Sequence, residues 1–270
     1  MRPVAAAFML TGWLCATPLL AAEALSRERQ REILREALDA FDDAVGRARS
    51  DAPAAEALLR KAAGGFEALI EAGLRNAALE YNLANTYFRL HDSGRAVLHY
   101  RRAQRLAPGD AQIAANLRYA RERVEPYLRP SGRRELLGRL LFWNRSLSME
   151  RRFWIAVLAS ALGWLGLTAW LRWRSRPLAV GAALLIGLGL ANAGSVAWQL
   201  HEEGVYPPAV IVQPDQILRL GRGEGYEPAI SQRLGAGVEV RILQQRGDWA
   251  EVRLVNDQTG WLPALVLERI

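Results

Sequence analysis

The sequence predicts a multi-domain membrane protein with three parts: an all-α region, a two-helix transmembrane hairpin and a small all-β domain. Two apolar runs, residues 153–171 and 178–200, contain no charged residue. The shorter run spans about 28 Å as a helix, close to the thickness of a bilayer core. Helical periodicity precedes these runs, and short β-rich segments with Gly and Asp turns follow them. The membrane therefore divides the chain into two soluble parts.

Residues 153–171 and 178–200 are the predicted membrane helices, and residues 172–177 are the arginine-rich turn between them. A buried helix of a soluble protein keeps a polar face, and neither run has one. Tryptophans mark the ends of both runs, as expected at a membrane–water interface: Trp154, Trp170, Trp173 and Trp198. Small residues at helical spacing predict close helix packing in lipid: Ser160, Gly187, Ala191 and Ser195. The alternative is that Gly and Ala are simply abundant in this chain.

Composition argues against several classes of function. The net charge of +7 comes almost entirely from arginine, since Lys61 is the only lysine. The arginines are interleaved with Asp and Glu, as on solvated helix faces, so we expect no nucleic-acid partner. Cys15 is the only cysteine and lies in a segment that we expect to be removed, and the three histidines lack paired spacing. The sequence therefore predicts no metal site, no cofactor and no disulfide.

Residues 1–24 have the pattern of a secretory signal peptide. Arg2 supplies the positive start, an apolar stretch follows, and Ala22-Glu23-Ala24 is a small-x-small cleavage site. The alternative is an uncleaved anchor. In both cases the residues that follow are exported, which predicts a bacterial envelope protein.

Residues 25–127 form the predicted helical region. Apolar residues spaced by three and four predict a helix from Leu25 to about Ala48, and they are Leu34, Leu38, Phe41 and Val45. Ser50 or Asp51 is the candidate cap of the next helix, which Gly73 ends.

Residues 77–110 carry a more specific motif. Small and aromatic residues recur at fixed intervals and a proline closes the unit: Leu83, Ala84, Tyr87, Ala96, Tyr100, Ala103 and Pro108. Asn82-Leu83 also recurs 34 residues later as Asn116-Leu117. This segment resembles a tetratricopeptide repeat, with Glu80 at the family's usual Trp position. The alternative is an unrelated helical bundle.

The resemblance implies a concave groove that binds a partner's peptide or helix. By motif position, the residues expected to face this groove are Tyr81, Asn85, Phe88 and Arg89. The amide and the guanidinium suit a backbone or carboxylate, and the aromatic rings suit an apolar side chain. The alternative is that these four residues make ordinary surface and inter-helix contacts.

Residues 128–152 are predicted to be a linker followed by an interfacial amphipathic helix. Pro130 and Gly132 mark the linker, and leucines then alternate with arginines up to Arg145. A basic amphipathic helix lying on the membrane surface fits this pattern. The alternative is a plain connector into the membrane.

Residues 206–270 contain the predicted strands, which are residues 209–212, 217–220, 238–243, 249–255 and 259–262. Three motifs carry a resemblance to bacterial SH3-type barrels: Leu234-x-x-Gly237-x-x-Val240, Gly247-Asp248-Trp249-x-x-Val252 and Gly260-Trp261-Leu262. The early signature of that family is degraded at residues 216–221. Exposed rings of Tyr226, Trp249 or Trp261 would offer a ligand face for a sugar or peptide. The alternative is that the tryptophans pack in the core or at the rim.

Two membrane crossings return the chain to the side on which it started. With an export signal, both soluble parts lie in the periplasm of a two-pass inner-membrane protein, and Arg172, Arg174 and Arg176 lie in the cytoplasmic turn. Arg151 and Arg152 then place positive charge on the outer side, against the usual rule.

The order of signal, repeat, hairpin and barrel resembles the BatE-like proteins of bacterial aerotolerance operons. The resemblance implies a non-enzymatic membrane component linked to envelope or oxidative-stress tolerance. We therefore expect a scaffold that recruits protein partners beside the lipid bilayer. The alternative is a peptidoglycan-binding or wall-sensing protein. No nucleophile–base pair or carboxylate pair stands out, so no catalytic residue is predicted.

Overall fold

The computed structural model describes residues 25–129, 131–132, 136 and 147–270. The predicted signal peptide, residues 1–24, and nearly all of the predicted amphipathic helix lie outside the described residues. Within these ranges the chain is mostly helical, with a small antiparallel sheet and two helices long and apolar enough to cross a membrane. The coarse fold class predicted from the sequence is therefore confirmed.

Among the described residues, five helices precede the two long apolar helices: α1 Arg27–Arg47, α2 Ala52–Glu71, α3 Ala77–Arg89, α4 Ser93–Leu106 and α5 Ala111–Arg121. Each begins at a side chain that accepts a hydrogen bond from the first turn, namely Ser26, Asp51, Asn76, Asp92 and Asp110. Of the two candidate caps of α2, it is Asp51 that accepts, from the backbone N–H of Ala54 at 3.1 Å.

The buried face of α1 is lined by alanines: Ala37, Ala40 and Ala44. A Cβ added at Gly65 of α2 would lie 2.8 Å from the Ala37 Cβ, so the two backbones approach closely along this face. The larger residues Leu34 and Leu38, whose spacing predicted the helix, remain 36% and 38% exposed. Small residues form the α1–α2 contact because only they allow this approach.

The two apolar helices are α6, Met149–Trp173, and α7, Arg176–Val205. Only Arg174 and Ser175 separate them, so the turn is shorter than the predicted residues 172–177. Arg174 has the left-handed φ of 49° that ends α6 sharply. In their most apolar windows only 17% and 22% of the residues are buried within the protein. Most of this apolar surface is therefore not covered by the described part of the protein.

The sheet has five antiparallel strands in the order β4-β3-β2-β1-β5. They are β1 Pro208–Ile211, β2 Glu239–Arg246, β3 Trp249–Leu254, β4 Thr259–Pro263 and β5 Leu267–Arg269. The predicted strand at residues 217–220 is instead an irregular segment that makes isolated bridges through Arg219. The three-residue β5 was not predicted, because it is too short to show an alternating pattern.

The helical region and the sheet meet in one continuous hydrophobic core. We call the contact of α4 and α5 with the sheet the joint. A Cβ at Gly94 of α4 would lie 2.8 Å from the Val212 Cα, and one at Gly237 would lie 2.6 Å from a Val124 methyl carbon. Gly235 N–H also donates to the Glu125 carbonyl at 2.8 Å. The two soluble parts are therefore packed together as one body.

Candidate partner-binding groove

The predicted groove residues Tyr81 and Asn85 lie on α3, within reach of side chains from α4 and α5. Tyr100 donates its hydroxyl to Asn85 Oδ1 at 2.6 Å. The Asn116 amide donates to the Tyr81 hydroxyl at 2.7 Å and to Asn85 Oδ1 at 3.3 Å. Burial, followed by the neighbouring Tyr81, raises the pKa of Tyr100, so this hydroxyl stays protonated as a donor. The network fixes the orientation of the half-buried Asn85.

Phe88 and Arg89, the other two predicted groove residues, lie at the end of α3. The Phe88 ring is 5.5 Å from the ring of Tyr119 on α5, and the Arg123 guanidinium lies 3.5 Å from the Tyr119 centroid. The Arg89 guanidinium lies over the ring of Phe41 on α1 at 5.6 Å. These contacts form a cation–aromatic surface that runs across α1, α3 and α5.

The structure adds residues of α5 and of the turn that follows it, which the motif positions do not assign to the groove. Asn116, Tyr119 and Arg123 all touch the predicted set. A surface hollow of about 560 Å³ opens beside them, lined by Ala115, Asn116, Arg118, Tyr119 and Glu122. A signal for Asn116 was present, because it repeats Asn82 at the 34-residue interval.

A buried polar pair holds α3 against α4. Glu80 and His99 are 3% and 6% exposed, and His99 Nδ1 lies 2.7 Å from Glu80 Oε2. The Tyr87 ring stacks on the His99 ring at a centroid distance of 5.6 Å. Glu80 stands at the position where tetratricopeptide repeats usually have a Trp. In this chain the Glu80–His99 pair therefore lies between the helices in place of an indole ring.

The joint is also fixed by charge. Glu239 of β2 lies 3.0 Å from Arg101 Nε of α4 and 2.6 Å from Arg121 Nε of α5. Burial alone would raise the pKa of Glu239, but the two guanidiniums outweigh burial and hold this pKa below its ordinary value of 4.5. The groove helices α3 to α5 are thereby held in a fixed position on the sheet.

Of the three residues predicted to form a ligand face, Trp249 and Trp261 lie on the same face of the sheet, and Tyr226 lies in a loop. Trp249 pairs with Pro263 and Trp261 with Glu251 in the β3–β4 ladder, so both indoles lie on the outer face of the sheet. The two tryptophans are half-buried there and do not enter the core. Tyr226 is 55% exposed and packs on the loop glycine Gly221.

The predicted packing residues of the hairpin divide into two groups. Ser160 and Ser195 lie at the contact, since a Cβ at Gly189 would overlap Ser160 and Ser195 bonds to α6. Gly187 and Ala191 face away from α6: Ala191 is exposed, and nothing lies within 4 Å of a Cβ at Gly187. The small-residue pattern predicted packing through Gly187 and Ala191, whereas in the structure the Gly189 face of α7 contacts α6.

A chain of polar contacts links the hairpin to the soluble body. Arg152, only 1% exposed, donates to Ser195 Oγ at 2.6 Å and to Gln199 Oε1. Gln199 donates to Glu203 at 2.8 Å, and Glu203 pairs with Arg105 of α4 at 2.6 Å. Arg152, which the predicted topology places on the outer side against the charge rule, is thus enclosed between the two helices.

Comparison of the chain with protein-family models, curated proteins and solved structures finds no match. Within the described ranges no group of three or more His, Cys, Asp or Glu side chains is placed to hold a metal ion.

Proposed function

We propose that the protein is a non-enzymatic scaffold of the bacterial inner membrane whose periplasmic body recruits protein partners. In this proposal, α1 to α5 form a tetratricopeptide-type region and the sheet is an SH3-type barrel. The process that it serves is envelope or oxidative-stress tolerance, as the resemblance to BatE-like proteins implies.

One observation carries the proposal: the cation–aromatic surface built by Phe88, Arg89, Tyr119 and Arg123. Tyr119 is 49% exposed and Arg89 is also exposed, so both have surface left for a partner. Aromatic rings and arginines are the side chains that contribute most to protein interfaces. The hydrogen-bonded Asn85 beneath them is already oriented, which lowers the entropy lost on binding.

The fixed joint supports a scaffold more than a pair of independent modules. Glu239 bridges two groove helices to the sheet, and the Arg105–Glu203 pair reaches the end of α7. A partner bound on α3 and α5 is therefore held at a set position relative to the membrane.

The test is co-purification of the full chain with its partners from membranes, quantified by mass spectrometry. We expect Arg89→Glu and Tyr119→Ala each to reduce specific partners at least about tenfold, as loss of an interface hot spot does. The matched controls are Arg60→Glu, an arginine on α2 that pairs with Glu56, and Tyr226→Ala in the loop between β1 and β2. Equal losses in groove and control variants would reject the groove.

The orientation has its own test. Alkaline phosphatase fused after Ile270 is active only if exported, and a cytoplasmic reporter gives the opposite result. We expect an active phosphatase fusion. An inactive fusion would place both soluble parts in the cytoplasm and reject the periplasmic scaffold.

A second candidate function is binding to peptidoglycan through the sheet. The observation that favours it is the pair of half-buried indoles, Trp249 and Trp261, on one outer face. Aromatic faces of this kind stack on sugars. The full chain in detergent should then sediment with purified sacculi and do so less after Trp261→Ala. Sedimentation that is unchanged by Trp261→Ala, or absent altogether, would reject this candidate.

A further inference from the structure

Helix α1 carries an apolar stripe that the protein does not fully cover, formed by Leu34, Leu38, Phe41 and Val45. Leu34, Leu38 and Val45 are 36%, 38% and 41% exposed, and only Phe41 is mostly covered. The spacing of four, three and four residues is that of a coiled-coil seam. The buried face of α1 is the separate alanine row described above. The described part of the chain therefore leaves the stripe available for a second helix.

A row of charges with alternating sign borders this stripe at intervals of seven residues: Glu28, Arg35, Asp42 and Arg49. All four side chains are exposed. Within the described chain, none of the four has an oppositely charged group within 4.0 Å. Residues seven apart lie on the same side of a helix in a coiled coil, so the row follows the stripe along its whole length.

The charge row selects one occupant. If a second α1 packs antiparallel, with Leu34 opposite Val45 and Leu38 opposite Phe41, Arg35 meets Asp42 of the second copy and Glu28 meets Arg49. The two-fold symmetry forms each pair twice. In a parallel pairing the two rows would lie on opposite sides of the seam and form no charge pairs with each other. We propose that the α1 stripe is a self-association surface on which two copies of this chain pair antiparallel.

The membrane helices make such a small contact effective. Two chains confined to one bilayer meet at a much higher effective concentration than free chains do. A seam of four apolar layers with four charge pairs can then hold a dimer that would dissociate in dilute solution. The inference does not depend on the proposed groove partner, because the occupant is the chain itself.

Cross-linking of the full chain in lipid nanodiscs tests the geometry. Cys15 is replaced by Ser, and a single cysteine is introduced in place of Leu38 or Leu34. In the antiparallel register the two Leu38 positions are offset by about 4.5 Å along the helices and the two Leu34 positions by about 16 Å. A short bismaleimide should therefore join Leu38→Cys copies and not Leu34→Cys copies. Leu34→Cys should also cross-link to a chain carrying Val45→Cys.

Charge reversal tests the specificity. Arg35→Asp and Asp42→Arg should each weaken the dimer at least about tenfold by native mass spectrometry, because each turns two attractive pairs into repulsive ones. The double variant restores opposite charges and should return to within about threefold of the unmodified chain.

The readouts are dimer mass and cross-link position, so they are separate from partner capture by the groove. A monomer at all nanodisc loadings would overturn the proposal. Equal cross-linking at Leu34 and Leu38 would show a parallel contact and overturn it too. If Arg35→Asp and Asp42→Arg leave the stability of the dimer unchanged, the contact lies elsewhere on the chain and the proposal is wrong.

Discussion

The hairpin and the joint are both closed around glycines, but different forces hold them. In the hairpin, Gly189 lets α7 approach α6 at Ser160, and most of the surrounding apolar surface is not buried within the protein. In the joint, Gly94 lets α4 approach the backbone of Val212 inside a continuous apolar core. Lipid tails compete for apolar surface, so the hairpin depends on fit and hydrogen bonds, whereas the joint gains from removing apolar surface from water.

The polar contacts of the hairpin and of the joint also differ. The contacts of Arg152 in the hairpin include hydrogen bonds to two uncharged side chains, Ser195 and Gln199. Glu239 of the joint pairs with two guanidiniums. The hairpin should therefore respond most to changes of shape, and the joint to both shape and pH.

The largest effect is expected at Gly94. Gly94→Ala places a Cβ 2.8 Å from the Val212 Cα and 2.9 Å from its carbonyl oxygen, and backbone atoms cannot move aside locally. We expect a loss of about 3 kcal/mol in unfolding free energy, the upper range of overpacking effects. Thermal unfolding in detergent measures the loss, and hydrogen exchange at the β1 amides locates it.

The matched control is Gly64→Ala in α2, where a Cβ meets nothing within 4 Å. Alanine in an open helical position should raise stability by about 0.5–1 kcal/mol. If both alanines stabilise the protein, the close joint does not exist in solution.

The hairpin gives a second matched pair. Gly189→Leu would overlap Ser160 and come close to the Ala156 carbonyl, whereas Gly187→Leu would extend into open space. We expect the first to cost about 2 kcal/mol, again through overpacking, and the second almost nothing. Both variants are measured by unfolding the hairpin in an SDS titration and monitoring tryptophan fluorescence. A larger effect at Gly187 would restore the face predicted from the sequence, with another membrane protein packed on it.

Acid should loosen the joint more than the hairpin. The pKa of Glu239 in the folded protein lies below its ordinary value of 4.5, so near pH 4 the unfolded chain binds more protons than the folded chain. The carboxylate thus stabilises the fold fully above pH 4.5, and this stabilisation is lost as the pH falls below it. Glu239→Gln should cost about 1–2 kcal/mol at pH 7 and flatten this acid slope. An unchanged slope in unfolding between pH 5 and 3 would contradict the assignment to Glu239.

The sequence located the elements of the joint but not the joint itself. The helix starts followed from capping residues such as Asp51, because a cap is a local signal. The contact between Glu239 and Arg101 joins residues distant in sequence, and no periodicity relates them. The motif positions predict Tyr81 and Asn85 as groove residues, whereas the contact of Tyr119 with Phe88 depends on how α5 packs on α3.

The hairpin shows a similar limit. Length and hydropathy predicted two helices long and apolar enough to cross a membrane, and the structure contains both. They did not choose between the faces of α7, because Gly187 and Gly189 are equally small and the rotation of the helix depends on its partner. Here the structure selects the face with Gly189, Asn192 and Ser195.

The smallest effect is expected at Arg152, and it tests whether hydrogen bonds contribute to the hairpin beyond fit. Arg152→Met keeps the length of the side chain and removes the bonds to Ser195 and Gln199. Polar contacts between membrane helices average less than 1 kcal/mol, so a loss of about 1 kcal/mol is expected in SDS titration. The control is Arg151→Met, an adjacent exposed arginine that should change little. If Arg152→Met and Arg151→Met change the stability of the hairpin equally, the hydrogen bonds of Arg152 contribute nothing measurable. The hairpin would then be held by close packing alone, whereas the joint is also held by the ion pairs of Glu239.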